Sequence, residues 1–168
     1  STTIRQALLQ GSQRLVKALD LPFNVARLEA ECLLGFVLGW KRTKLLTHDH
    51  ALLQPTHCQA FEGLLARRLQ GMPLAYLTQE REFFGFSLKV NEQVLVPRPE
   101  TELLVEKALA IAKANAHILD LGTGSGAIAI ALAKSNASFH VLATDKSQEA
   151  LDVAKENAKR LHAHNILF

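Results

Sequence analysis

Residues 118–133 read ILDLGTGSGAIAIALA. An apolar run carrying Asp120 meets three glycines in alternate positions, Gly122, Gly124 and Gly126, and then an alanine- and isoleucine-rich run. The spacing predicts a buried strand over 117–121, a tight turn at the glycines and a helix over 127–134. The alternation continues with a strand over 139–144, a helix from 147 to about 162, and the start of a third strand over 165–168. Strands alternating with helices in this order specify a parallel, doubly wound sheet of the Rossmann kind.

Toward the N-terminus the period changes. Phe84, Phe86, Leu88 and Val90 alternate as in a strand, 91–93 (Asn-Glu-Gln) is a turn candidate, and 94–96 reads as a return strand. Pro97 ends this hairpin, and Pro99 is placed to open a helix running to about Ala114. The first seventy residues are helical in pattern. Thr2 or Thr3 caps a helix with Ile4, Leu8, Leu15 and Leu19 inward; Leu21-Pro22 breaks it. Asn24 is expected to cap a second helix, with Val25, Leu28, Cys32 and Phe36 as its apolar stripe and Gly39 as its end. A short helix surrounds Leu45-Leu46, and a fourth begins at Pro55 and stops near Gly71. The expected chain is α+β in two parts: a helical bundle over 1–75, a β-hairpin linker over 76–98, and the first, incomplete part of a Rossmann-like α/β domain over 99–168. Two or three strands cannot bury both faces of such a sheet. The expectation is therefore a piece of a longer protein, with self-association of a small complete domain as the alternative.

Composition adds limits. The 168 residues carry a net charge of +3, and 48% are hydrophobic, enough for one or two small cores. The basic excess lies in the N-terminal part, at Lys41-Arg42, Lys44 and Arg67-Arg68, too slight to specify nucleic acid. Cys32 and Cys58 form neither a disulfide framework nor a zinc set, and are expected to be buried free thiols of a reducing cytoplasm. No apolar run approaches the roughly 20 residues a membrane span needs. His48 and His50 stand two apart and do not share a helix face, and no metal site is expected. His162 and His164 suit a helix C-terminus.

Two ligands compete for the glycine turn. In a dinucleotide site the turn cradles a pyrophosphate, and an acid about twenty residues on binds a ribose. Asp145 is so placed, and Ala127 fills the third glycine's slot. Asp120, however, would set a like charge against the pyrophosphate, at a cost of about 1–4 kcal/mol. S-adenosylmethionine has no phosphate, and its ammonium group would welcome Asp120. Its carboxylate would suit the helix amides that follow. Asp145 suits the ribose of either. The aspartate therefore favours S-adenosylmethionine over a dinucleotide or an empty turn.

Residues 80–109, EREFFGFSLKVNEQVLVPRPETELLVEKAL, followed by the glycine turn, resemble the glutamine-N5 methyltransferases of peptide release factors, the HemK/PrmC type. The Pro97-Arg-Pro-Glu-Thr-Glu102 element is the specific part, and the likeness covers essentially the whole chain; Gln79, where relatives commonly carry glycine, departs from it. The resemblance implies S-adenosylmethionine contacts at Gly122, Thr123, Gly124, Ser125 and Gly126, with Asp145 on the ribose. It implies a cytoplasmic, monomeric parent whose helical domain helps recognise release factors, with no membrane or direct nucleic-acid contact. It implies methyl transfer to the side-chain amide of a glutamine in a Gly-Gly-Gln loop. Such enzymes aim that weakly nucleophilic nitrogen with an Asn-Pro-Pro-Tyr element. No two of the five prolines here are adjacent, so no catalytic residue is expected in this chain and the piece alone is expected to be inactive. Other targets, such as adenine-N6 or another protein side chain, and a non-enzymatic docking role, are the alternatives. Arg98, Glu100 and Glu102 flank the expected crevice and serve either the site or merely the helix start.

Overall fold

The structure, a computed structural model, describes residues 1–168 and divides into two compact units, Ser1–Thr78 and Gln79–Phe168. The first unit is all helix. α1 (Ile4–Leu19) starts at Thr3, whose hydroxyl accepts the Gln6 amide at 3.2 Å while the Gln6 side chain accepts the Thr3 amide at 3.0 Å. This reciprocal cap satisfies two otherwise orphaned donors. Asp20 ends the helix in the left-handed region, and α2 (Phe23–Leu38) follows. α3 (Arg42–Thr47), α4 (Pro55–Leu69, with proline at its first position) and α5 (Leu74–Thr78) complete the bundle. Ile4, Leu8, Leu15, Leu33, Leu34, Leu45, Phe61 and Leu65 form its core.

Three expectations fail on α2. Asn24 does not cap it; Pro22 takes the N-cap position with extended backbone, since its fixed φ already suits a helix entry. The stripe Val25, Leu28, Cys32 and Phe36 faces outward. The inward stripe is Ala26, Ala30, Leu33 and Leu34, whose small members let α2 lie close to its neighbours. Cys32 is accordingly exposed and Cys58 half-buried, so neither is the buried thiol expected. Two carboxylates of α2 are buried instead. Arg68 bonds Glu29 at 2.7 Å, and Arg27 and Arg42 bond Glu31 at 2.9 and 2.5 Å, so neither charge is left unpaired. No helix is long and apolar enough to cross a membrane.

The second unit opens with a hairpin, β1 (Glu80–Phe83) paired antiparallel with β2 (Phe86–Lys89). Its turn is Phe84-Gly85, both at positive φ (49° and 82°), not 91–93. Two left-handed residues match the twist of paired strands. The Asn91 turn also forms, with the Gln93 amide on its side chain at 2.9 Å, but no return strand follows at 94–96. The Phe84 amide is taken by the Glu102 carboxylate at 2.7 Å. Glu102 lies in the first turn of α6 (Thr101–Ile111).

β3 (His117–Leu121), α7 (Ala127–Ser135), β4 (His140–Thr144), α8 (Gln148–Arg160) and β5 (Ile166–Leu167) then form the parallel sheet in the order β3-β4-β5. Ile118, Val141 and Ile166 sit in register on one face, where Val141 and Ile166 are buried. Leu119, Leu142 and Leu167 align on the other face and are 55%, 44% and 74% exposed. β3 is therefore not the buried strand expected: none of its five residues is buried.

Candidate functional site

The carboxyl end of β3 delivers Asp120, and the chain then leaves the sheet through Gly122, Gly124 and Gly126 at φ 73°, 56° and 86°. Glycine adopts such angles without the penalty of a Cβ. The turn is folded over the end of β4. The amides of Gly122 and Thr123 both donate to the Thr144 carbonyl at 2.8 Å. The Thr123 hydroxyl donates to Asp120 Oδ2 at 2.7 Å, and the Gly126 amide closes onto the Thr123 carbonyl at 2.8 Å.

Asp145 follows β4 directly. Its Oδ2 accepts the Gly124 amide at 2.9 Å and its Oδ1 the Ser147 amide at 3.0 Å. These bonds, Ser147's first and Gly124's second, hold its carboxyl below the usual carboxylate range, so it is ionised at neutral pH. Each carboxylate oxygen offers about two acceptor positions, and each of these two bonds takes one.

The three glycines differ in what surrounds them. A Cβ at Gly122 or Gly124 would meet nothing within 4 Å. At Gly126 it would lie 3.1 Å from Ile130 Cδ1, 3.2 Å from Ala154 Cβ and 3.3 Å from Ala154 Cα. Gly126 is therefore demanded by the approach of α8, whereas Gly122 and Gly124 border open space. α7 begins at Gly126 with no side-chain cap and no acid in its first turn. Its first amides keep the partial positive charge of a helix N-terminus.

The structure thus gathers Asp120, Gly122, Thr123, Gly124, Ser125, Gly126 and Asp145 at one end of the sheet. Thr144, Ser147 and Asn157 also shape the turn and were not anticipated. Thr144 and Ser147 act through backbone groups, which no residue pattern reveals. Glu102 ties down the Phe84 turn, while Arg98 and Glu100 are exposed.

Residues 6–78 match the family model of the PrmC N-terminal domain, and residues 112–168 match that of a methyltransferase domain. Over 151 residues the chain is 48% identical to the release factor glutamine methyltransferase of Bordetella pertussis, a match covering 89% of this chain and 56% of that protein. Most of this chain is thus similar to release factor glutamine methyltransferases. The Vibrio cholerae member is 44% identical over 170 residues, 100% of this chain and 58% of its own length. The Escherichia coli member is 44% identical over 141 residues, 83% and 51%. The chain thus spans about half the length of these relatives. A crystal structure of coclaurine N-methyltransferase bound to N-methylheliamine and SAH aligns with 97% of this chain and 48% of that one, at 15% identity and a TM-score of 0.41, too loose a likeness to inform the site.

Proposed function

We propose that these residues form the release-factor-recognising and cofactor-binding part of an enzyme that methylates the glutamine side-chain amide in the Gly-Gly-Gln loop of peptide chain release factors. The methyl donor is S-adenosylmethionine, which supplies an electrophilic methyl group on sulfur. The observation that carries the reading is the pair of carboxylates, Asp120 and Asp145, on either side of a positive-φ turn whose Gly122 and Gly124 face open space. Asp145 presents its remaining acceptor positions to the ribose hydroxyls. Asp120 faces the ammonium group, and the uncapped start of α7 receives the carboxylate. Gly122, Thr123 and Gly124 supply backbone against the ligand. Ser125 and Gly126 complete the turn.

The assignment of parts follows the same reading: residues 1–75 recognise the release factor, 76–98 link, and 99–168 hold the cofactor. The enzyme is a cytoplasmic monomer. Nucleic acid is the weaker target, because Arg42 and Arg68 are spent on Glu31 and Glu29 and Lys44 lies 4.3 Å over the Trp40 ring. Methyl transfer needs the Asn-Pro-Pro-Tyr element, so this chain alone is expected to bind the cofactor weakly and without turning over.

The test is a titration of isotope-labelled chain, followed at the Gly122 and Gly124 amides. S-adenosylmethionine at millimolar concentration should shift both, NAD should not, and Asp145→Ala should weaken binding by about 1–3 kcal/mol. Equal response to NAD, or unchanged affinity in Asp145→Ala, would defeat the reading.

A further inference from the structure

The glycine turn has a support that lies 32 residues away in sequence. Asn157 on α8 is fully buried. Its Nδ2 donates to the Ser125 carbonyl at 2.9 Å and to the Lys89 carbonyl at 2.9 Å; its Oδ1 accepts the Lys89 amide at 2.8 Å and the Arg160 guanidinium at 3.2 Å. Four bonds exhaust what a carboxamide can make. A buried amide with every position filled has one orientation and imposes it on its partners.

Its most consequential partner is the Ser125–Gly126 peptide. The carbonyl of that peptide points to Asn157 while its N–H points to the Thr123 carbonyl at 2.8 Å, so the peptide plane is held at both ends. Gly126, which lacks a Cβ, offers this peptide little intrinsic resistance to rotation on its side. The Thr123 bond restrains it from within the turn, and Asn157 restrains it from outside. Ala154, one helical turn earlier on α8, already abuts Gly126. The same helix grips the hairpin, through Asn157 on Lys89, Arg160 on the Ser87 carbonyl at 2.5 Å, and Glu156 with the Lys89 ammonium at 2.8 Å.

We propose that Asn157 is a positioning residue for the glycine turn: its carboxamide latches the Ser125–Gly126 peptide, and so holds the first amides of α7 toward the cofactor while tying the turn to the end of β2. The inference rests on the cofactor reading above, but its test does not require a ligand. Asn157→Asp keeps the volume and the acceptor for the Lys89 amide and Arg160, but places an oxygen where Nδ2 donates to the Ser125 and Lys89 carbonyls. Asn157→Ala removes everything. Amide hydrogen exchange of residues 1–168 is the readout.

In both variants the Gly126 amide should exchange about tenfold faster or more, the loss of a buried hydrogen bond, while Val141 in the sheet keeps its protection. In Asn157→Asp the Lys89 amide should stay protected. Gly126 unchanged in Asn157→Asp would reduce Asn157 to a hairpin anchor and overturn the proposal. Equal loss at Gly126 and Val141, or outright unfolding of both variants, would make it a general stabiliser and overturn it too. Titrating S-adenosylmethionine separates the two readings. If the native chain fails to respond at Gly122 and Gly124, the cofactor site is wrong, whatever the exchange result. If the native chain responds, Asn157→Asp should bind at least tenfold more weakly, and equal binding would refute the latch's role in presenting the amides.

Discussion

Replacing each turn glycine by alanine separates packing from ligand access. All three sit at positive φ, where an L-residue costs roughly 1–2 kcal/mol. At Gly122 and Gly124 the new methyl meets nothing within 4 Å, so that is the whole stability cost. At Gly126 the methyl would lie 3.1 Å from Ile130 Cδ1 and 3.3 Å from Ala154 Cα. The isoleucine end can swing aside; a helix backbone atom cannot without moving α8. Overpacking of this kind adds about 1–3 kcal/mol. Gly126→Ala should therefore cost about 2–5 kcal/mol, against about 1–2 for the other two. Exchange of the Val141 amide, bonded to the Asn165 carbonyl at 3.1 Å, as urea is raised measures this in the unit concerned, whereas Trp40, the one tryptophan, lies in the other. Affinity should rank differently: Gly122→Ala and Gly124→Ala should lose S-adenosylmethionine response out of proportion to stability, because their methyls enter the open space. Equal destabilisation at all three positions would refute the distinction.

The Asp145 carboxyl titrates below its unfolded value, so its bonds to Ser147 and Gly124 contribute stability that is full above about pH 3.9 and is lost as pH falls through the folded value. The native chain should therefore exceed Asp145→Asn in urea midpoint at pH 6 and lose that advantage progressively as the pH falls below about 3.9; an advantage constant with pH would count against the assignment. Glu102→Ala should loosen the Phe84-Gly85 turn by about 1–3 kcal/mol, seen as faster exchange at Phe84, while Glu102→Gln, which keeps an acceptor, should restore most of it. Cys32 is exposed, yet partial burial of its sulfur and then the Glu31 and Glu29 carboxylates hold its thiol above the ordinary value. Its alkylation at pH 7.5 should be slower than that of a free cysteine peptide, and an equal rate would contradict this.

What could be read from the chain in advance follows from the range of the interactions concerned. The strand–turn–helix at 117–135 depends on local period and on glycine, and it forms where the pattern places it. Thr3 as a cap, Gly39 as a helix end and Pro55 as a helix start are likewise local. The hairpin turn was misplaced because Phe84 is an unlikely residue at positive φ on propensity alone; it is held there by Glu102, 18 residues on. The outward stripe of α2 was misread because both of its stripes are apolar, and the choice fell to the one whose alanines allow close approach. The same limit applies at the site. Three glycines in alternate positions are equivalent on paper. Only the arrival of Ala154 makes Gly126 a packing residue, and only Asn157 fixes the peptide before it. Both come from α8, whose polar sequence carries no mark of either task. The turn's own residues carry the motif, while its geometry is set by a helix that the motif does not include.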